Sequence, residues 1–175
     1  MESRACGHCG ASLRLLRSDA KFCSAKCRVY SSRKPKLPVE MTSRRRWVRR
    51  ASNKIPLTGA GRYASSTKAS TWASFEHVSK STAGVGIGFV LGDGIGCWDF
   101  DHCITDGKLA GWAREAIAAI AEPIIFAEVS QSGEGVHVFV QATEGPGRVI
   151  RDGERCIEFY STGRYIAVTG NKLTI

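Results

Sequence analysis

The clearest alternation of apolar and polar positions lies in the segment 85–102. Apolar positions lead into a glycine-rich turn and resume after it, which predicts two consecutive strands. Because side chains alternate between the faces of a strand, Trp98 and Phe100 of the second strand point to one side. Asp99 and Asp101 point to the other side, about 7 Å apart. One face is therefore expected to pack on a core, and the other to present two carboxylates.

Two neighbouring carboxylates on a strand can share divalent cations, and they are costly to place there without a partner or a metal ion. A plainer interpretation is that one acid caps the next turn and the other is solvated at the end of the strand. The DxD spacing alone leaves both alternatives open.

Further periodic segments lie on both sides of this stretch. Apolar residues recur at helical spacing over 109–121 and stop at Pro123, which predicts a helix, and a shorter helix is predicted with Thr71 as its N-cap. The other patterns predict a hairpin from 47–48 and 55–57, buried strands at 124–129 and 136–140, and a final hairpin from 156–160 and 164–168. This order of elements predicts the α+β class.

The composition, 43% hydrophobic and 23% charged, is that of a globular protein. Residues 1–68 contain 17 Lys and Arg against 3 Asp and Glu, a net charge of +14, whereas residues 69–175 contain 8 against 13, a net charge of −5. So basic a first part predicts contact with nucleic acid, although a solvated, disordered tail would have the same composition. No stretch has the pattern of a signal peptide or a membrane span, so we expect a cytoplasmic protein.

Four of the seven cysteines lie in the first 27 residues, as the pairs Cys6-x2-Cys9 and Cys23-x3-Cys27. Two such pairs are what a tetrahedral zinc ion needs, because each pair holds one edge of the tetrahedron. A segment this short has little core, so zinc would supply most of its folding energy. The stretch from Phe22 to Arg28 is similar to small treble-clef-like zinc fingers, which implies binding rather than catalysis.

These patterns divide the chain into a zinc finger at 1–30, a basic linker at 31–44 and a core at 45–175. Trp47 lies within a cluster of arginines at the start of the core. This ring can stack on a base between phosphate-binding arginines, or it can anchor the first strand of the core. The hairpin pattern that follows favours the anchor.

The turn 130–135 combines two serines and two glycines directly before a strand, and such turns present backbone N–H groups to phosphate oxygens. His137 lies early in that strand, where it can donate to a phosphate oxygen or serve as an ordinary strand histidine. Glu158, on a later strand, is a third carboxylate. Together these groups predict a site for metal ions and a triphosphate.

The motifs resemble the primase-polymerase (prim-pol) branch of the archaeo-eukaryotic primase superfamily, as encoded by phages and plasmids. The family's hhhDhD motif corresponds to Cys97-Trp-Asp99-Phe-Asp101, and its hydrophobic-acid strand to Ile157-Glu158. Its SxGxH motif corresponds to Ser132-Gly-Glu-Gly-Val-His137, with one added residue. Flanking stretches from Lys54-Ile-Pro56 to Val168-Thr-Gly170 are also similar, so the resemblance covers about residues 45–172.

The resemblance implies an RRM-like core with an N-terminal four-Cys zinc finger, and template-directed synthesis of primers or DNA strands. It implies a single-stranded DNA template, nucleoside triphosphates, and a helicase or C-terminal primase subunit as partners, within a bacterial host cell. The implied catalytic acids, which would bind magnesium or manganese, are Asp99, Asp101 and Glu158. The implied nucleotide-binding residues are Ser132, Gly133, His137 and Arg164, and the implied zinc ligands are Cys6, Cys9, Cys23 and Cys27. Arg164 would touch phosphate or form a cross-strand ion pair.

Two features depart from the family pattern. The third acid is Glu158, where much of the superfamily has Asp, and the chain stops shortly after Gly170. If Glu158 is not a ligand, Asp152 and Glu154 in the loop before it are the next candidates.

Three other functions compete with strand synthesis. A bacterial-type primase with a Toprim core would need a Glu before the DxD, but Glu128 follows it. A nuclease would not need the Ser/Gly–His turn. A non-catalytic zinc-finger DNA-binding subunit of a split replication protein would not need the acids.

Overall fold

A computed structural model describes Cys6 and residues 11–32, 37–153 and 155–174, with the backbone alone at residues 30–32. The chain forms two compact units, residues 1–36 and residues 37–175. The smaller unit contains helix α1 (Ala25–Ser32), which the Ser24 hydroxyl caps by accepting the Cys27 N–H at 3.1 Å. Among its described residues, Cys6 and Leu13 are buried.

The larger unit combines short helices with antiparallel strands, in agreement with the predicted α+β class. Its elements are α2 (Val39–Thr42), β1 (Trp47–Arg50), β2 (Pro56–Leu57), a 3-10 helix (Ala69–Thr71), α3 (Phe75–Lys80), β3 (Gly86–Val90), β4 (Ile95–Asp101), β5 (Ile104–Thr105), β6 (Lys108–Leu109), α4 (Gly111–Ala118), β7 (Ile124–Val129), β8 (Val136–Gln141), β9 (Arg148–Asp152), β10 (Arg155–Tyr160) and β11 (Tyr165–Val168).

The strands form two main sheets and a small hairpin. One sheet has five strands in the order β7-β8-β4-β10-β9, and the other has four in the order β11-β3-β1-β2. Strands β5 and β6 pair separately. The two strands predicted around the glycine-rich turn are both present, but β3 and β4 belong to different sheets. Strand β4 is central in its sheet, so its side chains have neighbours on both sides.

Both faces of the five-stranded sheet are covered. On one face, Phe100 and Val138 pack with Ala113 and Ile117 of α4. On the other face, the Phe139 ring meets Phe89 of the four-stranded sheet with 6.4 Å between centroids. The core therefore consists of three layers: helix α4, the five-stranded sheet and the four-stranded sheet.

Trp47 has the anchoring role that the hairpin pattern favours. Strands β1 and β2 pair antiparallel, as predicted. The Trp47 ring is fully buried between Phe75 and Phe89, and its Nε1 donates to the Met41 carbonyl at 3.0 Å. Since the ring has no exposed face, it cannot stack on a base.

Both predicted helices have different bounds from those expected. Helix α4 is shorter, because Leu109 pairs with Ile104 in the small hairpin while still packing on the same core as the helix. The apolar periodicity seen in the sequence therefore covers more residues than helix α4 does. In the shorter helix the N-cap is Ser74, which accepts the His77 N–H, whereas the Thr71 hydroxyl donates back to Lys68 O at 2.7 Å.

The predicted final hairpin is wrong. Strand β10 pairs with β4 and β9, whereas β11 pairs with β3, so the turn at 161–163 carries the chain from one sheet to the other. The true hairpin partner of β10 is β9, which lies where a loop was expected. Every residue of β9 is exposed, so burial imposes no alternation that would reveal this strand in the sequence.

Helix α2 lies within the segment interpreted as a linker, and Met41 is its one buried residue. One buried residue in a helix of four residues gives no periodic signal. Among the described residues, no helix has the length and apolar character needed to cross a bilayer.

We predict that Met41→Ala lowers the free energy of unfolding by about 2–5 kcal/mol, because it leaves a cavity beside Trp47. Val39→Ala, in the same helix at a position 70% exposed, should change it by less than about 0.5 kcal/mol. Urea denaturation of both variants measures the difference. Equal, small effects would show that α2 does not belong to the core.

Candidate active site

Four ionisable side chains lie side by side across the five-stranded sheet. Asp99 on β4 is paired with His137 of β8 on one side and with Glu158 of β10 on the other. His137 is in turn paired with Glu128 of β7. Directly opposed residues of antiparallel strands project from the same face. Glu128, His137, Asp99 and Glu158 therefore form one line, which we call the polar row.

Asp101 extends this acidic surface along β4, opposite Cys156 of β10. Burial raises the pKa of Asp99, and the negative charges of Asp101 and Glu158 raise it further, although His137 and Lys54 act in the opposite direction. Asp99, Asp101 and Glu158 are half-buried. Partly desolvated like charges of this kind are stabilised by a bound cation.

A cleft of about 270 Å³ opens beside the polar row. It lies between the end of β4, the turn after β7, strand β11 and the turn after β1. Its lining includes side chains suited to metal or phosphate binding, among them Asp99, Asp101, Ser132, His137 and Lys54. Of the predicted site residues, Gly133, Glu158 and Arg164 are not part of this lining.

The turn between β7 and β8 is closed by its own hydrogen bonds. The N–H of Gly133 donates to Ser130 O at 3.1 Å, that of Gly135 to Ser130 Oγ at 3.1 Å, and that of Glu134 to Ser132 Oγ at 3.2 Å. These three N–H groups are therefore engaged within the turn, and phosphate binding by the turn stays a prediction. The turn contributes Ser130, Gln131 and Ser132 to the lining of the cleft.

Gly133 contributes the shape of this turn, since its φ of +84° lies in the left-handed region that favours glycine. It lines a second, neighbouring cleft of about 450 Å³, which Ser132 also borders. Ser132 thus stands at the junction of the two clefts.

His137 is held between two acids. Its side chain is 8% exposed, its Nδ1 lies 3.1 Å from Glu128 Oε1, and its Nε2 lies 3.7 Å from Asp99 Oδ1. The ring therefore links the fully buried end of the polar row to the carboxylates at the cleft.

Glu158 is contacted by a tyrosine, which is in turn contacted by an arginine. The Tyr160 hydroxyl donates to Glu158 Oε2 at 3.0 Å, and Arg164 Nη2 donates to the Tyr160 hydroxyl at 3.2 Å. The Arg164 guanidinium also stacks on the Tyr160 ring at 4.5 Å. With the acids that the structure describes, Arg164 forms no ion pair within 4.0 Å, so the cross-strand pair considered for it is not present there.

Sequence reasoning did not assign a role to Lys54 or Glu128. Lys54 is the only Lys or Arg among the described residues that line the cleft. Its backbone has a φ of +65°, and its carbonyl accepts a hydrogen bond from the Tyr165 hydroxyl. Nothing in a local pattern could have placed it there, because that contact spans 111 residues. Glu128 did leave a signal, since it is an acid inside the otherwise apolar strand 124–129.

The donor set of the acidic surface fits hard divalent cations, which take carboxylate oxygens as ligands. In the described part of the chain, however, no three of these acids bring their oxygens within 4.8 Å of one another. These carboxylates are therefore spread over the surface rather than gathered around one point.

A separate candidate metal centre lies in the N-terminal unit. The Sγ atoms of Cys6, Cys23 and Cys27 all lie within 4.8 Å of one another, with Cys23 and Cys27 only 3.5 Å apart. Cys9, the fourth predicted ligand, lies outside the described residues. Thiolate clusters of this kind suit zinc.

We predict that metal analysis finds one zinc ion per chain in reduced, purified protein. Cys23→Ser should lose most of that zinc, because it removes a ligand from the cluster. Cys156→Ser, which changes a half-buried cysteine of the larger unit, should retain it. A folded, reduced sample without zinc would refute this site.

We also predict the pH dependence of stability in chelator-treated protein. The pKa of Asp99 is higher in the folded state than in the unfolded state, mainly because the side chain is partly buried. Asp99 therefore stabilises the fold at low pH, and this contribution is lost as pH rises through the raised pKa. Asp99→Asn should therefore gain stability relative to wild type as pH rises above about 4, the ordinary pKa of an Asp side chain. Asp152→Asn, at an exposed strand end, is the control. A difference that stays constant with pH in urea denaturation would contradict this.

Comparison with known proteins supports the resemblance seen in the motifs. No protein-family model matches the chain. The chain is 31% identical over 139 residues to a DNA Primase-polymerase of Nitratiruptor phage NrS-1, a match that takes in 71% of this chain and 18% of that protein. The chain thus spans about a fifth of the length of this relative. Over the shared stretch, the chain belongs with the phage-type primase-polymerases.

Proposed function

We propose that this chain carries out template-directed nucleotidyl transfer, making primers or extending DNA strands in phage or plasmid replication, on an RRM-like core. One observation carries the proposal: Asp99, Asp101, Glu158 and His137 share one face of a sheet, beside a cleft that also holds Lys54. The name of the similar phage protein supports the same activity.

In this proposal the three acids are the catalytic residues and hold two magnesium or manganese ions. Divalent cations bound there would activate the attacking hydroxyl and stabilise the leaving pyrophosphate. Asp99 and Asp101 face the cleft directly, whereas Glu158 reaches the same surface from β10 and is oriented by Tyr160.

The incoming triphosphate would lie in the cleft against cationic and hydrogen-bonding groups. The Ser132 hydroxyl, the Nε2 atom of His137 and the Lys54 ammonium are the groups placed to contact it. Gly133 shapes the turn that carries Ser132. Arg164 acts through Tyr160 on Glu158, or swings out to reach phosphate.

The N-terminal unit would bind the single-stranded template. A structural zinc ion held by Cys6, Cys9, Cys23 and Cys27 would fold this unit. The net charge of +14 over residues 1–68, which include the start of the larger unit, would attract phosphates. A helicase or a C-terminal primase subunit would be a further partner.

We predict that Asp99→Asn and Asp101→Asn each reduce nucleotide incorporation by roughly 10²–10³-fold, because loss of a metal ligand costs several kcal/mol of transition-state stabilisation. Asp106→Asn makes the same change in the exposed turn of the small hairpin and should keep near wild-type activity. His137→Ala should mainly raise the nucleotide KM. Primer synthesis and extension with a single-stranded template and manganese measure all four.

The products also separate the competing functions. Products longer than the input support synthesis, and shorter products would indicate a nuclease. Unchanged input at every protein and manganese concentration would indicate a non-catalytic DNA-binding subunit. Full activity of Glu158→Gln alongside inactive Asp99→Asn would remove Glu158 from the ligand set. Asp152, the alternative considered above, is opposite Arg155 and therefore lies on the other face of the sheet.

A further inference from the structure

Glu128 is the one member of the polar row to which the proposed chemistry gives no role. Its side chain is fully buried, so it cannot meet a metal ion or a nucleotide in the cleft. Among the described residues it is the only buried acid. A carboxylate in such surroundings requires hydrogen bonds to satisfy it.

Donors from two parts of the chain reach this carboxylate. From the segment after β11, the backbone N–H groups of Thr169 and Gly170 donate to Oε2 at 3.0 and 2.8 Å. From β8, His137 Nδ1 lies 3.1 Å from Oε1. Because an ionised carboxylate only accepts hydrogen bonds, the proton of this last contact belongs to Nδ1.

We propose that Glu128 is a positioning residue for His137: it keeps the proton on Nδ1 and so leaves Nε2 as the ring nitrogen that serves the cleft. The identity of the ligand at Nε2, a phosphate oxygen of a nucleoside triphosphate, rests on the proposed function. The assignment of the tautomer does not, since it follows from the contacts of Glu128 alone.

The geometry also fixes the orientation of the ring. A flipped ring would turn a C–H toward Oε1 and leave this buried oxygen with the longer contact from the Thr169 N–H, at 3.2 Å. Direct cross-strand pairing of His137 with Glu128 and with Asp99 holds the ring between the two acids. The proton at Nδ1 thus determines what the other nitrogen can do at the cleft.

Glu128→Gln provides a sharp test, because an amide has one accepting end and one donating end. The N–H groups of Thr169 and Gly170 both require an acceptor at Oε2, so the amide oxygen should take that place. The amide NH₂ then faces His137 Nδ1, which must become an acceptor. We expect ¹⁵N NMR of the whole chain to show a protonated Nδ1 in wild type and an unprotonated Nδ1 in Glu128→Gln.

Kinetics separate positioning from a merely structural role. Glu128→Gln should lower kcat/KM for the nucleotide by about 10–100-fold, as loss of a group that orients a ligand-binding histidine typically does. The loss should appear mainly in KM and should vanish in a His137→Ala background. Thr169→Val is the matched control: it removes a hydroxyl 3.0 Å from Glu128 Oε2, and it should leave both Nδ1 and the nucleotide KM unchanged.

An unprotonated Nδ1 in wild type overturns the proposal, even if Glu128→Gln fails to fold. An equal loss of activity from Glu128→Gln with and without His137 also overturns it, since Glu128 would then act only on the fold. If Nδ1 behaves as expected but His137→Ala leaves the nucleotide KM unchanged, the tautomer stands and the proposed nucleotide site falls.

Discussion

The register of β4 against its two neighbours is the constraint on which the site depends. A slip of one residue in either pairing would turn His137 or Glu158 to the opposite face from Asp99. Apolar partners on the other face oppose such a slip. Trp98 is opposite Val138 on one side and Phe159 on the other, and all three pack toward α4. The hydrophobic core on one side of the sheet thus fixes the arrangement of charges on the other.

The ionisable side chains of the polar row become less buried from one end of the row toward the cleft. Glu128 is fully buried and saturated by hydrogen bonds, His137 is nearly buried, and Asp99 is half-buried with its pKa raised. The closer a member of the polar row lies to the cleft, the less its hydrogen-bonding capacity is satisfied within the protein. It is therefore more available to bind a cation or an anion. Because these groups stand on strands of a packed sheet rather than on loops, their geometry is set before any ligand arrives.

Local patterns in the sequence were enough to predict that Asp99 and Asp101 share one face of a strand, that Trp47 is an anchor and that the fold is of the α+β class. They failed where the chain changes sheets. The turn at 161–163 looks like a hairpin loop, but no local signal shows that β11 pairs with β3 instead of β10. Strand β9 was missed because no face of it is buried. Lys54 and Glu128 were missed as site residues because pairing between distant strands and turns brings them there.

The central claim is that Asp99, Asp101 and Glu158 form one surface for divalent cations. Anomalous diffraction from crystals grown with manganese tests it most directly, since manganese scatters anomalously and the peaks locate the ions themselves. We expect manganese peaks within coordination distance of Asp99 and Asp101 in wild type, and their loss in Asp99→Asn. Manganese bound only elsewhere, or not bound at saturating concentration with nucleotide present, would contradict it.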